Sequence, residues 1–285
     1  MYSDFYCILS GLPELNFQPP YYYPEGVIAE ILSLLSEKDK KMAQFPLYQF
    51  DNYNIITMLN NYQRDFLPYG NYSRDELAAE IKIQDNLPEY LNYFFEKKQE
   101  QKTALLTDSD ELSLARYYYL EALKIEDPFL RQWSGFEIHL NNIRTAIQCR
   151  KYDIPLERRE QKRAGQESGQ TILGTDDLVD QLQISHTADF GLTGVYDWMD
   201  FLIETEKKDL VTAEIEMEKF RWNKLDELVD ENYFSRDNLL VYIIKYFSLV
   251  RWNSLTQEKG VQALGAILNK ITTNYSIKEL SGEKI

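Results

Sequence analysis

Cysteine and histidine are nearly missing from this chain. Its two cysteines, Cys7 and Cys149, stand far apart with no CxxC or Cys/His spacing, so neither a disulfide framework nor a zinc centre has a ligand set. With 285 residues and 44% hydrophobic content, the chain can bury a core by packing alone. Long apolar runs are missing as well: no stretch reaches the roughly 18 residues that span a bilayer. Positive charge is scarce, with 31 Lys and Arg against 46 Asp and Glu and a net charge of −15. Such a balance opposes both a phosphate-backbone footprint and adsorption to anionic lipid. Nucleic acid is therefore excluded as a partner, and any membrane contact is expected to run through protein. The opening MYSDFYCILSGLPEL carries Asp4 and no basic region, which predicts a cytoplasmic chain.

Catalytic signatures are also lacking. There is no GxGxxG, no P-loop GK[ST], no HExxH and no GxSxG. GQESG at 165–169 has glycines but no lysine to reach a phosphate, and its acid would repel one. His139 reads as an ordinary helix imidazole and His186 as a loop residue. The acids Glu204, Glu206, Asp209, Glu214, Glu216 and Glu218 crowd one helical region, as a hydrolase pair would require. They alternate with Lys207, Lys208 and Lys219, the pattern of a solvated helix face. The expectation is no catalytic residue, no metal, no cofactor and no small-molecule substrate.

What the sequence does hold is helical periodicity and tyrosine, with 21 copies suited to cores and wet interfaces alike. FYCIL near the start reads as a short strand, and four prolines within residues 10–24 predict an extended entry segment. Val27, Ile28, Ile31, Leu34 and Leu35 share a helical face, as do Ile55, Ile56, Leu59 and Tyr62. Ser73 with Glu76 makes a capping box, Pro88 opens another helix, and Asp108 with Glu111 opens one through Leu123. Asp127 and Pro128 cap the clearest helix, in which Trp133, Phe136, Leu140, Ile143 and Ile147 step by three and four residues until Asp153 and Pro155 stop it. Arg158, Arg159, Lys162 and Arg163, diluted by acids, read as a salt-bridged tail of helix. Glycines and lost periodicity then predict an irregular connection over 164–195, with room for a small hairpin.

Helical spacing returns at Trp198, Phe201 and Leu202, runs from Val211 to Val229 and from Leu239 to Val250, and closes with Val261, Leu264, Leu268 and Ile271. The polar end at 276–285 reads as frayed. Nine or ten helices follow, in a mainly all-α fold: one elongated body over 1–285, its two helical halves joined through 164–195. Glu218 interrupts the Val211, Ile215, Trp222 stripe, and so either limits that helix's buried stretch or meets a cationic partner.

The long helix, FEIHLNNIRTAIQCRKYDI, resembles the recurring helix of the central-stalk subunit of V/A-type ATPases, designated C in that family and d in eukaryotes. The resemblance rests on Glu137, Asn142, Ile143, Thr145, Ile147 and Arg150. DNLLVYIIKYFSLVRWNSL is similar to that family's C-terminal helix at Tyr242 and Lys245, but has Phe247 where an acidic residue is usual. The opening, with Leu12, Pro13, Glu14 and Leu15, and DFGL at 189–192 resemble a bacterial family encoded among V-type ATPase genes. DFG is also a kinase triplet, but the VAIK and HRD elements that give it meaning are missing.

The resemblance implies a funnel-like or bundled all-helical socket at the inner face of the cell membrane. It would sit between the central-shaft subunits and the proteolipid ring of a proton- or sodium-translocating V-type ATPase, and catalyse nothing. Glu137 to Arg150 would be structural or interface positions, with Tyr242, Lys245, Glu218 and Trp222 as candidate contacts. The alternative is a stand-alone helical interaction adaptor.

Overall fold

A computed structural model describes residues 5–59, 65–100, 108–154, 156–157, 170–171, 177–229 and 232–255. The described chain is mainly α-helical. Its first half holds α1 (Phe5–Gly11), α2 (Val27–Leu34), α3 (Glu37–Gln44), a 3-10 turn at Phe45–Leu47, α4 (Tyr48–Leu59), α5 (Arg74–Ile83), α6 (Glu89–Glu100) and α7 (Asp108–Ala122). The long α8 (Pro128–Lys151) follows, then α9 (Asp177–Ile184), α10 (Met199–Thr205), α11 (Leu210–Glu227) and α12 (Arg236–Ser254). Twelve α-helices among the described residues exceed the nine or ten expected. The expected helix at 261–271, the end at 276–285, the basic run at 158–163 and the glycines at 165–169 lie outside the described residues.

Local signals set the helix ends. Ser73 Oγ accepts from the Glu76 amide at 3.3 Å while the Ser73 amide donates to Glu76 Oε2 at 2.8 Å, closing the capping box on α5. Asp127 Oδ1 accepts from the Leu130 amide at 2.9 Å, and Pro128 takes the first turn of α8, where no N–H is needed. Past Lys151, Asp153 turns to a left-handed φ of 53° and the helix stops.

Two expectations fail for identifiable reasons. FYCIL forms α1, not a strand: Ile8 and Leu9 are buried against the core while Tyr6 is exposed, a one-turn pattern that a short apolar run cannot distinguish from a strand. Within 164–195, Leu178, Val179 and Leu182 form the buried side of α9, so part of that stretch is helix. Much of the stretch with room for a small hairpin, 158–169 and 172–176, lies outside the described residues; β1 (Leu156–Glu157) and β2 (Gln170–Thr171) pair in parallel, Leu156 with Gln170 and Glu157 with Thr171. The helix α3 leaves no periodic trace because EKDKKMAQ has little apolar face; Ser36 starts it by accepting from the Asp39 amide.

One buried apolar cluster draws on helices from α1 to α12, with α8 running through it. Leu140 and Ile143 of α8 are fully buried, as are Leu239 and Ile243 of α12. Each such side chain contributes about 2 kcal/mol of burial. The entry segment is irregular, as its prolines dictate, and straps across the last two helices: the Phe17 ring lies 5.6 Å from Trp222 and 5.3 Å from Trp252. Lys98 and Asp110, both largely buried, join α6 to α7 at 2.8 Å.

The turn before α5 is held by two polar residues buried in α4. Asn54 bonds both the amide and the carbonyl of Leu67 at 2.8 Å. Asp51 accepts from the Asn71 amide and side chain at 2.9 Å each and from the Tyr72 amide at 3.3 Å. Gly70 lies so close that a Cβ there would come within 2.1 Å of Asp51 Oδ1, so only glycine fits.

Burial pushes the Asp51 carboxyl up from the ordinary 3.8 to about 6, against the pull of its amide donors. The folded chain then holds this proton more tightly than the unfolded chain. Stability from this group is full below about pH 4 and is lost as pH rises through about 6. Urea midpoints measured from about pH 4 to pH 7 should show the native chain losing about 2–3 kcal/mol relative to Asp51→Asn. A parallel pH dependence in the two proteins would refute the assignment.

Candidate functional site

Glu137, Asn141, Arg144, Gln148 and Lys151 recur at helical spacing along α8, forming a polar stripe beside its apolar face. Each finds a partner on α10, α11 or the turn between them. Arg221 of α11 donates from Nε to Glu137 Oε1 at 2.8 Å and from Nη2 to Asn141 Oδ1 at 3.4 Å. Arg144 donates to Glu206 and to Glu214, each at 2.6 Å. Gln148 also donates to Glu206, and Lys151 Nζ donates to the Glu206 carbonyl at 3.2 Å.

A second set continues from α11 to α12. Glu218 is buried; its Oε1 accepts from Ser248 at 2.6 Å and its Oε2 from Arg251. Burial alone would lower the Arg221 pKa, but Glu137 and then Glu218 beside it raise it further, so the guanidinium stays charged. Arg251, Glu218, Arg221 and Glu137 thus form a chain of alternating charge across α12, α11 and α8.

This chain borders a cavity of about 580 Å³, which Tyr118, Tyr119 and several aromatic side chains also line. Burial pushes both tyrosine hydroxyls well up, and the Glu137 carboxylate adds to the effect, so both stay neutral. Among the described residues, no group of three or more His, Cys, Asp or Glu is placed to hold a metal ion.

The motif residues of α8 divide by role. Asn142 is buried and Ile143 fully so, while Ile147 packs against the core. Thr145 lines a separate cavity of about 280 Å³ with Arg144, Gln148 and Cys149. Arg150 reaches the turn that carries DFGL: it donates to the carbonyls of Ser185 and Thr187, and its guanidinium lies 3.6 Å from the centre of the Phe190 ring. Phe190 is buried at a left-handed φ of 56°, and Asp189 accepts from the Gly191 amide at 3.0 Å and from Thr193 Oγ1 at 2.8 Å. Two segments that stand apart in the sequence therefore meet.

Of the candidate contacts, Trp222 donates to Ser248 Oγ at 3.0 Å, and Lys245 donates to Asp226 at 2.5 Å while lying 5.1 Å from the Trp222 ring. Tyr242 packs half-buried against the core, where burial and nearby tyrosines push its hydroxyl up to about 12. All four, Glu218 included, lie on α11 or α12. The solvated-face reading of 204–218 fails at Glu206, which is buried beside Arg144 of another helix, whereas Glu218, the exception in the sequence, is buried and meets the cation Arg251. His139 Nδ1 meets the Tyr196 hydroxyl at 3.0 Å, and His186 is exposed.

Removing one partner of a buried ion pair strands the other charge. Glu137→Ala should cost about 3–5 kcal/mol in a urea unfolding experiment, and Glu137→Met with Arg221→Met should recover most of it. A loss in the double variant equal to the sum of the two single losses would show that the pair is not coupled. Arg150→Lys keeps the charge but lacks the planar fork and the stacking surface. It should speed amide exchange at Phe190, Leu192 and Tyr196 about ten-fold while leaving mid-α8 amides unchanged. Unchanged exchange at those three amides would remove Arg150 as the clamp.

No curated protein and no solved structure matches the chain. A family described as "Protein of unknown function (DUF2764)" matches residues 2–275. Since that span takes in nearly the whole sequence, the chain is a member of the DUF2764 family.

Proposed function

We propose that the protein is a non-catalytic coupling subunit of the rotor in a V-type ATPase, a funnel-like socket linking the central shaft to the proteolipid ring. The observation that carries this reading is the fastening of α8. Glu137 and Arg150, the charged ends of the resemblance to the ATPase central-stalk helix, tie α8 to α11 at one end and to the 185–190 turn at the other. Torque passes through a body without loss only if its helices cannot slide, and directional charge pairs oppose sliding more than apolar contacts do.

Two further features support the reading. No described helix is long and apolar enough to cross a membrane, so contact with the ring would be made by protein surfaces at the cytoplasmic side. The net charge of −15 favours basic protein partners and opposes direct lipid binding. Proton or sodium translocation belongs to the ring in this scheme.

A stand-alone adaptor is the second reading, favoured by a small exposed aromatic cluster: Tyr6 lies 4.5 Å and Tyr233 5.2 Å from Phe234. Affinity purification of the tagged chain from its own cells, followed by mass spectrometry, separates the two. The rotor reading expects shaft and proteolipid subunits in fixed ratio to the chain. Recovery of an intact ATPase that consistently lacks the chain would overturn it.

A further inference from the structure

The cavity bordered by the charge chain has the size, the walls and the chemistry of a small-molecule site. At about 580 Å³ it falls within the range of roughly 300–1,000 Å³ typical of ligand pockets. Phe45, Phe50, Tyr53, Trp133, Ile244 and Phe247 supply an apolar and mainly aromatic lining, contributed by both halves of the chain. Glu137, Asn141, Arg221, Glu218 and Arg251 supply the polar side.

The hydrogen-bonding capacity of that polar side is not used up. Glu218 spends both oxygens, on Ser248 and Arg251. Glu137 accepts from Arg221 through Oε1, while its Oε2 bonds no described residue. Arg221 has five N–H groups and donates from Nε and Nη2, while its Nη1 bonds no described residue. A carboxylate oxygen and a guanidinium nitrogen with spare capacity therefore stand side by side, inside a low-dielectric wall that strengthens whatever they bind.

The sum of charges selects the ligand. Two carboxylates and two guanidinium groups border the space, so a lone anion would leave the second oxygen of Glu137 unused and a lone cation would leave Nη1 of Arg221 unused. A zwitterion satisfies both, with its ammonium at Glu137 and its carboxylate at Arg221. The aromatic lining supplies stacking and burial for an aromatic body.

We propose that this cavity is a binding site for a small aromatic zwitterion, in the class of an aromatic α-amino acid or a short aromatic peptide. The site is independent of the rotor reading and stands if that reading fails. Isothermal titration of the full chain tests it with phenylalanine and phenylalanyl-glycine as probes. Glycine lacks the ring, 3-phenylpropanoate lacks the ammonium, and phenethylamine lacks the carboxylate.

Saturable binding of a probe is expected below about 10 mM, with each of the three analogues at least about ten-fold weaker. Glu137→Gln, checked for native helicity by circular dichroism, should weaken the probe by about ten-fold. Where that variant fails to fold, the native chain still gives an answer: the Trp133 indole N–H resonance should shift on saturation with the probe. Absence of saturable binding by both probes, equal binding by the one-charge analogues, or an unmoved Trp133 resonance would each overturn the proposal.

Discussion

Placing a guanidinium and two carboxylates inside a protein is costly unless every charge is met, and this requirement governs how α8, α11 and α12 sit together. Arg221 between Glu137 and Glu218 fixes α11 against α8, and Arg251 on Glu218 fixes α12 against α11. The net stabilisation from such pairs is small, because desolvation offsets most of the Coulomb gain. Their effect is on geometry. An apolar contact tolerates a helix sliding by a fraction of a turn, whereas a buried charge separated from its partner loses several kcal/mol. Arg144, held by Glu206 and Glu214, repeats the device further along α8.

The first half of the chain meets the same constraint with fewer charges. Asp51 has no described cationic partner and relies on amide donors from a turn that glycine alone can bring close enough. Burial raises its carboxyl pKa against the pull of those donors. Arg236, at the start of α12, reaches Asp127 at 2.6 Å and so links the cap of α8 to the last helix. Asp127 thereby serves twice, as the acceptor that begins α8 and as the anchor for α12.

Much of this is legible in local spacing. The start and stop of α8 follow from Asp127, Pro128 and Pro155, and the Ser73 capping box follows from one serine and one glutamate three residues apart, because helix ends are settled by neighbours in sequence. The tyrosine excess points correctly to aromatic packing but not to which rings meet. What spacing cannot show are features decided by distant residues. Glu206 looks solvated beside Lys207 and Lys208, and only the arrival of Arg144, 62 positions away, lets it be buried; Glu218 stands out in its apolar stripe, but nothing there points to Arg251, 33 positions away. The polar stripe from Glu137 to Lys151 is readable at its helical spacing, but the stronger apolar periodicity of the same helix overshadows it. Arg150 and the DFGL turn each stand out in the sequence, with no signal there that one clamps the other.

The same charges fix one wall of the cavity, which is partly open to solvent. An apolar void of this size would be expected to close, since each missing contact forfeits dispersion energy and nothing opposes collapse. Here the walls meet a row of charged groups whose positions are set by partners on other helices: Arg221 cannot advance without leaving Glu137, and Glu218 cannot without leaving Ser248 and Arg251. On the apolar side Phe50 packs on Phe247 at 4.7 Å and Phe45 stacks on Tyr118 at 4.9 Å, so those walls brace each other while ion pairs brace the charged one. Rigidity and open space are therefore two consequences of one arrangement. The ion pairs that stop the helices from sliding also fix the charged wall of that space.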